Sequence, residues 1–236
     1  MNKIILISLI IILLLSFQQT SAEESCLILN FDDGYSGVYL NAFSIMKDYE
    51  MPGVIFVPTA TINKNNHLTL LELKELKNHG WEIGSHTVNH PNLLQLTCSG
   101  IEREIIKSKQ YLYKNGLIDN NYSSFCSPMA KWNSMIADSV NKNYYLARCD
   151  KLINCKNNQE INSTIKVVLK TTTLISIKNW INKSCEKNIP LILVFHDINK
   201  NVNHLYNFSP ARFAKLINYI QNNNIKVITF KEFLQK

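Results

Sequence analysis

The stretch Cys26–Gly34, CLILNFDDG, decides how this chain is read. Cys26, Leu27, Ile28 and Leu29 form a short apolar run, the pattern of a strand buried on both faces of a parallel sheet. The run ends at Asn30, and Asp32, Asp33 and Gly34 follow. Taken alone, Asp-Asp-Gly is most often an Asx-rich turn ahead of a helix. Two adjacent carboxylates at the C-terminal end of a buried strand are nevertheless costly unless they meet a cation or share a proton. In folds of alternating strands and helices, that end of the strands is where sites assemble.

Working outward, Val38, Leu40, Phe43, Ile45 and Met46 give a helical apolar face that ends near Tyr49, before Pro52 and Gly53. Val54–Val57 is the next strand. Thr69 and Glu72 form a capping-box pair for a helix to about His79, with Gly80 at C′. Trp81–Ser85 is a third strand, and Trp81 within it is assigned to the core. A helix from Thr97 to about Lys114, a strand Tyr122–Ser127, a helix after Asn133 and a strand Tyr144–Cys149 follow. Residues 150–163 are polar and carry no clear pattern. Beyond them lie a strand Ile165–Leu169, a helix Ile175–Lys187 and the most apolar strand, Leu191–Phe195. A helix opened by Ser209 and Pro210, a closing strand Ile225–Ile228 and a last helix capped by Thr229 and Glu232 complete the chain. About seven buried strands alternating with helices predict one α/β domain, a distorted (β/α)7-type barrel.

The 236 residues include an N-terminal segment that does not belong to that barrel. Lys3, an unbroken apolar run from Ile4 to Leu15 and small residues at Ser21 and Ala22 fit a secretory signal peptide, residues 1–22, leaving 23–236 as the domain. The run is short for a membrane span, and a retained N-terminal anchor at the cell surface is the alternative. The formal net charge is +7, with lysines scattered along the chain; this argues against a dedicated nucleic-acid groove. An exported chain with six cysteines can hold up to three disulfides, and Cys149 with Cys155, closing the shortest loop, is the favoured pair. Cys26, inside an apolar strand, also reads as a small buried hydrophobe.

Three expected strand ends carry reactive side chains: Asp32 and Asp33 on the first, His86 and His90 on the third, His196 and Asp197 on a late one. Each signal is weak alone, because an H-x₃-H pair or a histidine after an apolar strand is more often structural. Their common place at one end of the strands is what gives them weight. One carboxylate and two imidazoles suit a divalent ion such as Zn²⁺ with positions left open, and the second aspartate is then available as a base. His67, His79 and His204 have no companion ligands and are expected at the surface. Arg148 ends a strand and reads equally as a residue pointing into the site or as a salt-bridge partner.

The motifs NFDDG (Asn30–Gly34), SHTVNHP (Ser85–Pro91), SPM (Ser127–Met129) and LVFHD (Leu193–Asp197), in this order, resemble the polysaccharide deacetylases of carbohydrate esterase family 4, the NodB-like group. The resemblance spans nearly the whole chain after residue 25 and implies a distorted (β/α) barrel. It implies a secreted, metal-dependent hydrolase that removes N-acetyl groups from a GlcNAc-containing polysaccharide of the chitin, poly-N-acetylglucosamine or peptidoglycan type. By the same resemblance Asp32 is the catalytic base and Asp33, His86 and His90 are the metal ligands. His196 is the general acid, and the Met129 backbone N–H is an oxyanion donor. The ion is Zn²⁺ first, with Co²⁺, Ni²⁺ or Fe²⁺ as alternatives. Trp132, near the expected mouth, is weighed evenly between stacking on a sugar ring and packing.

This sequence departs from the family at three places. Asn30 stands where a threonine is common, and Cys126 stands two before the third-motif proline where an arginine is frequent. Some exopolysaccharide deacetylases lack that arginine as well. The fourth motif, an Asp–Trp element that orients base or acid, has no clear match; Asp150, Trp180 and Asp197 are the candidates. The alternatives are a carbohydrate-binding protein without turnover and a related hydrolase of O-acetyl esters or other amides.

Overall fold

Strand β1 (Leu27–Phe31) is fully buried and sits inside a nine-stranded sheet with six strands on one side and two on the other. The computed structural model describes residues 27–119, 121–201 and 203–235; the expected signal segment 1–22 and Cys26 lie outside them. The strands are β2 (Val54–Val57), β3 (Glu82–Ser85), β4 (Ser124–Cys126), β5 (Leu146–Arg148), β6 (Leu152–Asn154), β7 (Gln159–Ile161), β8 (Thr164–Val167) and β9 (Leu191–Phe195). Their spatial order is β7-β6-β5-β4-β3-β2-β1-β9-β8. Seven of them, β5 through β1 with β9 and β8, run parallel, as expected for a (β/α)7-type barrel. The strands β7 and β8 end the sheet, yet only Asn162 and Ser163 separate them in sequence. That connection can span no more than about 11 Å, so the sheet curls until its edges nearly meet.

Helices α1 (38–47), α2 (Leu70–Asn78), α3 (Cys98–Lys114), α4 (Ser134–Asn143), α5 (Leu174–Lys187), α6 (Pro210–Asn222) and α7 (Phe230–Leu234) connect or close the strands. The first opens with wide π-helical turns over Val38–Phe43. Both expected capping boxes form, at Thr69 with Glu72 and at Thr229 with Glu232. The period-2 alternation of β1 then sorts its side chains. Leu27, Leu29 and Phe31 face the helices and join the larger core, whereas Ile28 packs inside the barrel with Val54, Phe56, Ile192 and Val194. Phe230 of α7 plugs that interior from the far end. Phe31 stacks on Trp81 at 5.2 Å and Phe195 at 5.6 Å, fixing the strand directly ahead of the two aspartates.

Three expectations are corrected. Residues 150–163, which carry no pattern, contain the antiparallel strands β6 and β7. Instead of a strand at Ile225–Ile228 there is one parallel bridge, Val227 to Leu27, with bonds from Leu27 N–H to Lys226 O and from Ile228 N–H to Leu27 O. The third is the favoured disulfide: Cys98, Cys126, Cys149, Cys155 and Cys185 are all free thiols. The register of the β5–β6 ribbon explains why Cys149 and Cys155 do not bridge. Cys155 lies opposite Tyr145, while Cys149 is bonded to Lys151 at the turn. The two cysteines are thus about four residues apart along the ribbon, roughly 13 Å, beyond the reach of a disulfide.

Phe31 fills the space between strand and helices with no exposed surface. Phe31→Ala is expected to lower stability by about 3–5 kcal/mol in urea unfolding; a loss under about 1 kcal/mol would contradict this packing.

Candidate active site

Alternation along β1 turns Asn30 inward, and Asp32 follows it into the mouth of the barrel, where it is buried. Asp33 then adopts a left-handed backbone, φ 68°, which sends its carboxylate away from that of Asp32. Gly34 continues the turn at φ 67°, and a Cβ there would stand 3.0 Å from the Val57 side chain, so only glycine fits. The two neighbouring carboxylates therefore serve different surroundings.

Asp32 is held from both sides. Its Oδ1 accepts a hydrogen bond from the Asn30 side chain at 2.8 Å, and its Oδ2 accepts one from the buried Arg148 guanidinium. Arg148 ends β5 and lies directly beside Cys126 of β4 in the parallel register, donating to the Cys126 thiol as well. The arginine missing from position 126 is thus replaced, in space, from the next strand. Burial alone would raise the Asp32 pKa, but the Arg148 charge, helped by His86 and His196, overrides it and brings the carboxyl down to about 2.

Asp33 meets the two imidazoles. Its Oδ1 lies 3.5 Å from Nε2 of His86 and 3.4 Å from Nε2 of His90, and the two rings sit edge to face with centroids 4.6 Å apart. His86 is buried, and its Nδ1 is 2.7 Å from the Cys126 carbonyl, which turns Nε2 toward Asp33. His90 is half-buried, and burial, followed by the charge of His86, lowers its pKa. Burial also works against a charged His86, yet Cys126 and the Asp33 and Asp32 carboxylates lift its pKa well above the ordinary value. The pocket thus attracts positive charge to the point between Asp33, His86 and His90, the place a divalent cation would take. The three donor atoms lie within 4.8 Å of one another. Asp32, His86 and Cys126 also cluster so closely. There, however, the Arg148 cation already occupies both Asp32 and Cys126 and would repel a metal ion, so the first trio is the better fit.

The loop that carries His90 is strained and pinned. Thr87 and His90 have φ of 69° and 55°, unusual for residues other than glycine and more so for a β-branched one. The His90 N–H donates to Thr87 Oγ1 at 3.0 Å. Glu104, buried on α3, accepts from the Val88 N–H at 2.9 Å, the Asn89 N–H at 2.8 Å and the Asn89 side chain at 2.7 Å. Its sequence signal is its place between Ile101 and Ile105 on the apolar face of α3, where a solvated glutamate would not belong.

His196 lies at the end of β9, where the Asp32 N–H donates to the Phe195 carbonyl at 2.9 Å. Burial, first of all, lowers the His196 pKa, against the pull of Asp32 and Asp33. Its Nδ1 is buried without a hydrogen-bond partner among the described residues, and its ring packs on Tyr206 with centroids 4.5 Å apart. None of the fourth-motif candidates bonds to it. Asp197 turns to Asn199 and the backbone around Gly37, Asp150 is exposed, and Trp180 packs against the helical core. Met129 is exposed at the rim with φ 53°. Trp132 packs on the outer core beneath α4 and lines a separate groove outside the Asp33–His86–His90 cluster.

The curled barrel of seven parallel strands gathers aspartates and histidines at its C-terminal rim, where Asp33, His86 and His90 could hold a metal ion. The polysaccharide deacetylase family profile matches residues 19–147, and the chain belongs to that family. It is 31% identical to the Bacillus subtilis protein YxkH over 128 residues, 54% of this chain and 45% of that one. Over 101 residues it is 33% identical to the poly-beta-1,6-N-acetyl-D-glucosamine N-deacetylase of Staphylococcus aureus, 37% of this chain and 35% of that one. The chain therefore spans less than half the length of these curated relatives. Among solved structures, the Xyl-CE4 domain of a multidomain xylanase from the hindgut metagenome of Trinervitermes trinervoides shares the fold at TM-score 0.63, with 18% identity and 90% of each chain covered.

Removal of Arg148 is the sharpest test of this arrangement. Because the Asp32 pKa is held at about 2, below its ordinary 3.8, its ionisation stabilises the fold above about pH 4, and that contribution fades as the pH falls through about 2. In the metal-free protein, Arg148→Met should cost about 3–5 kcal/mol at pH 7, with the gap narrowing toward pH 2. Urea unfolding across that range measures it, and a gap that does not change with pH would contradict the pairing.

Proposed function

We propose that this chain is an exported, metal-dependent N-deacetylase of a GlcNAc-containing polysaccharide, with residues 1–22 as the export signal and 23–236 as the catalytic domain. The observation that carries the reading is the Asp33–His86–His90 trio standing beside an Asp32 held ionised by Arg148. Family membership supports hydrolysis of acetyl groups on polysaccharides, and the Staphylococcus aureus relative supports a poly-GlcNAc type of substrate. Among the described residues no helix is long and apolar enough to cross a membrane.

Asp33, His86 and His90 would hold the ion, and Zn²⁺ suits this donor set best. When bound, the ion supplies a Lewis acid that polarises a carbonyl oxygen and makes a neighbouring water more acidic. Asp32 accepts the proton of the attacking water on a carboxylate oxygen; Asn30 and Arg148 fix the direction in which that carboxylate faces. The Met129 N–H donates to the oxygen on which negative charge develops. As the C–N bond breaks, His196 gives a proton to the departing nitrogen through the ring nitrogen opposite its buried Nδ1, because an amide nitrogen leaves poorly as an anion. Acetate and a free amine are the products.

One observation favours a second reading, an O-acetyl esterase. Among the described residues His196 has no hydrogen-bond partner at Nδ1, and an alkoxide needs less help from an acid to leave than an amide nitrogen does. Ester and amide substrates compared side by side separate the two.

Acetate release should be measured from poly-β-1,6-GlcNAc, chitin oligomers and peptidoglycan with zinc present. Release from at least one polymer is expected, slowed about 10²–10⁴-fold by Asp32→Asn. No release from any amide substrate by zinc-loaded protein would contradict the proposal.

A further inference from the structure

The antiparallel strands β6 and β7 are additions to the seven-stranded barrel, and they build a groove that the reaction just described does not use. The groove holds about 330 Å³ and runs between Trp132 and the start of α4 on one side and the β6–β7 ribbon on the other. Its floor is apolar, made by the buried Ala137 and Ile153, and the partly buried Trp132 indole forms part of one wall. Its rim is polar. Asn133 spends its side-chain oxygen capping α4, and Asn158 spends its own on Asn141, which leaves the NH₂ group of each as a donor. Lys151 and Glu160 cross the rim as an ion pair at 3.2 Å.

We propose that this groove is a subsite for a neutral pyranose, a neighbour of the sugar residue being deacetylated in the same polymer chain. The chemistry of the lining decides the class of ligand. An aromatic face over an apolar floor matches the C–H face of a sugar ring, and planar amide donors with a carboxylate acceptor match its hydroxyl and acetamido groups. The two rim charges are of opposite sign and paired, so the groove carries no net charge to select a phosphate or another anion. Position decides the role. Trp132 lies three residues beyond Met129, and Lys151 lies three residues beyond Arg148, whose guanidinium holds Asp32. Three residues span at most about 11 Å, so both lips of the groove start at the rim of the reaction centre. A polymer with one residue between Asp32 and His196 can therefore lay a neighbour against Trp132. This makes the protein selective for chains over single sugars, with the β6–β7 ribbon as the selecting element. The inference rests on the polysaccharide reading of the site.

The test uses full-length zinc-loaded Asp32→Asn protein, titrated calorimetrically with GlcNAc and with β-1,4- and β-1,6-linked GlcNAc tetramers. One of the tetramers should bind about tenfold or more tighter than the monomer. Two further changes, Trp132→Ala and the exposed pair Asn158→Ala with Glu160→Ala, should each bring that tetramer down toward the affinity of the monomer. Using both keeps the test valid if Trp132→Ala disturbs packing. Length-independent affinity, or tetramer binding untouched by the Asn158 and Glu160 changes, would overturn the subsite. Acetate release by wild type together with that result leaves the deacetylase reading standing. Tight, groove-dependent tetramer binding without acetate release leaves the subsite standing and overturns the deacetylase reading. Failure of every sugar to bind overturns the subsite.

Discussion

Two carboxylates on consecutive residues at the end of a buried strand repel one another, and each loses hydration that only a counter-charge can replace. The site follows from how this chain meets that demand. A left-handed turn at Asp33 separates the pair, so that Asp32 faces the barrel interior and Asp33 faces the histidine loop. Arg148 neutralises the first, while His86 and His90 close around the second. Phe31, stacked between Trp81 and Phe195, fixes the strand that presents both.

The parallel barrel makes this convergence possible, because strands β1, β3, β5 and β9 all deliver their C-terminal ends to one rim. Lateral register then matters as much as sequence. Cys126 and Arg148 are neighbours across β4 and β5, so the strand beside the one that lacks an arginine brings a guanidinium to Asp32. Glu104 provides a second layer of the same kind: it fixes the peptide units of Val88 and Asn89, so the strained turn that aims His90 is held from outside. His196 is treated differently. Its ring packs on Tyr206, and among the described residues its Nδ1 has no hydrogen-bond partner, which is where the expected Asp–Trp element has no counterpart.

Much of this was legible in the sequence because the signals were local. The apolar runs at 27–29, 54–57 and 191–195 gave buried strands, and Thr69 with Glu72 and Thr229 with Glu232 gave helix starts that the structure contains. Asp33, His86 and His90 could be grouped because each stood at the same end of a strand. What escaped depends on contacts between distant segments. The β6–β7 ribbon has strands of only three residues, and Gln159 and Glu160 of β7 are exposed and polar, so no period could reveal it. Val227 reads as part of a strand, but among the described residues it makes a single bridge, to Leu27. The role of Arg148 is set by register across the sheet, and the Cys149–Cys155 pair was judged by loop length where ribbon geometry decides. Glu104 left a trace, a charge within the apolar stripe of α3, but its partners lie on a different loop.

The central claim is that Asp33, His86 and His90 share one divalent cation while Arg148, and no metal, attends Asp32. Anomalous X-ray scattering from crystals of the zinc-loaded protein tests it most directly. The account predicts one peak about 2.0–2.2 Å from an Asp33 oxygen and from Nε2 of both histidines. A peak between Asp32, His86 and Cys126, or no peak near Asp33 at saturating zinc, would contradict it.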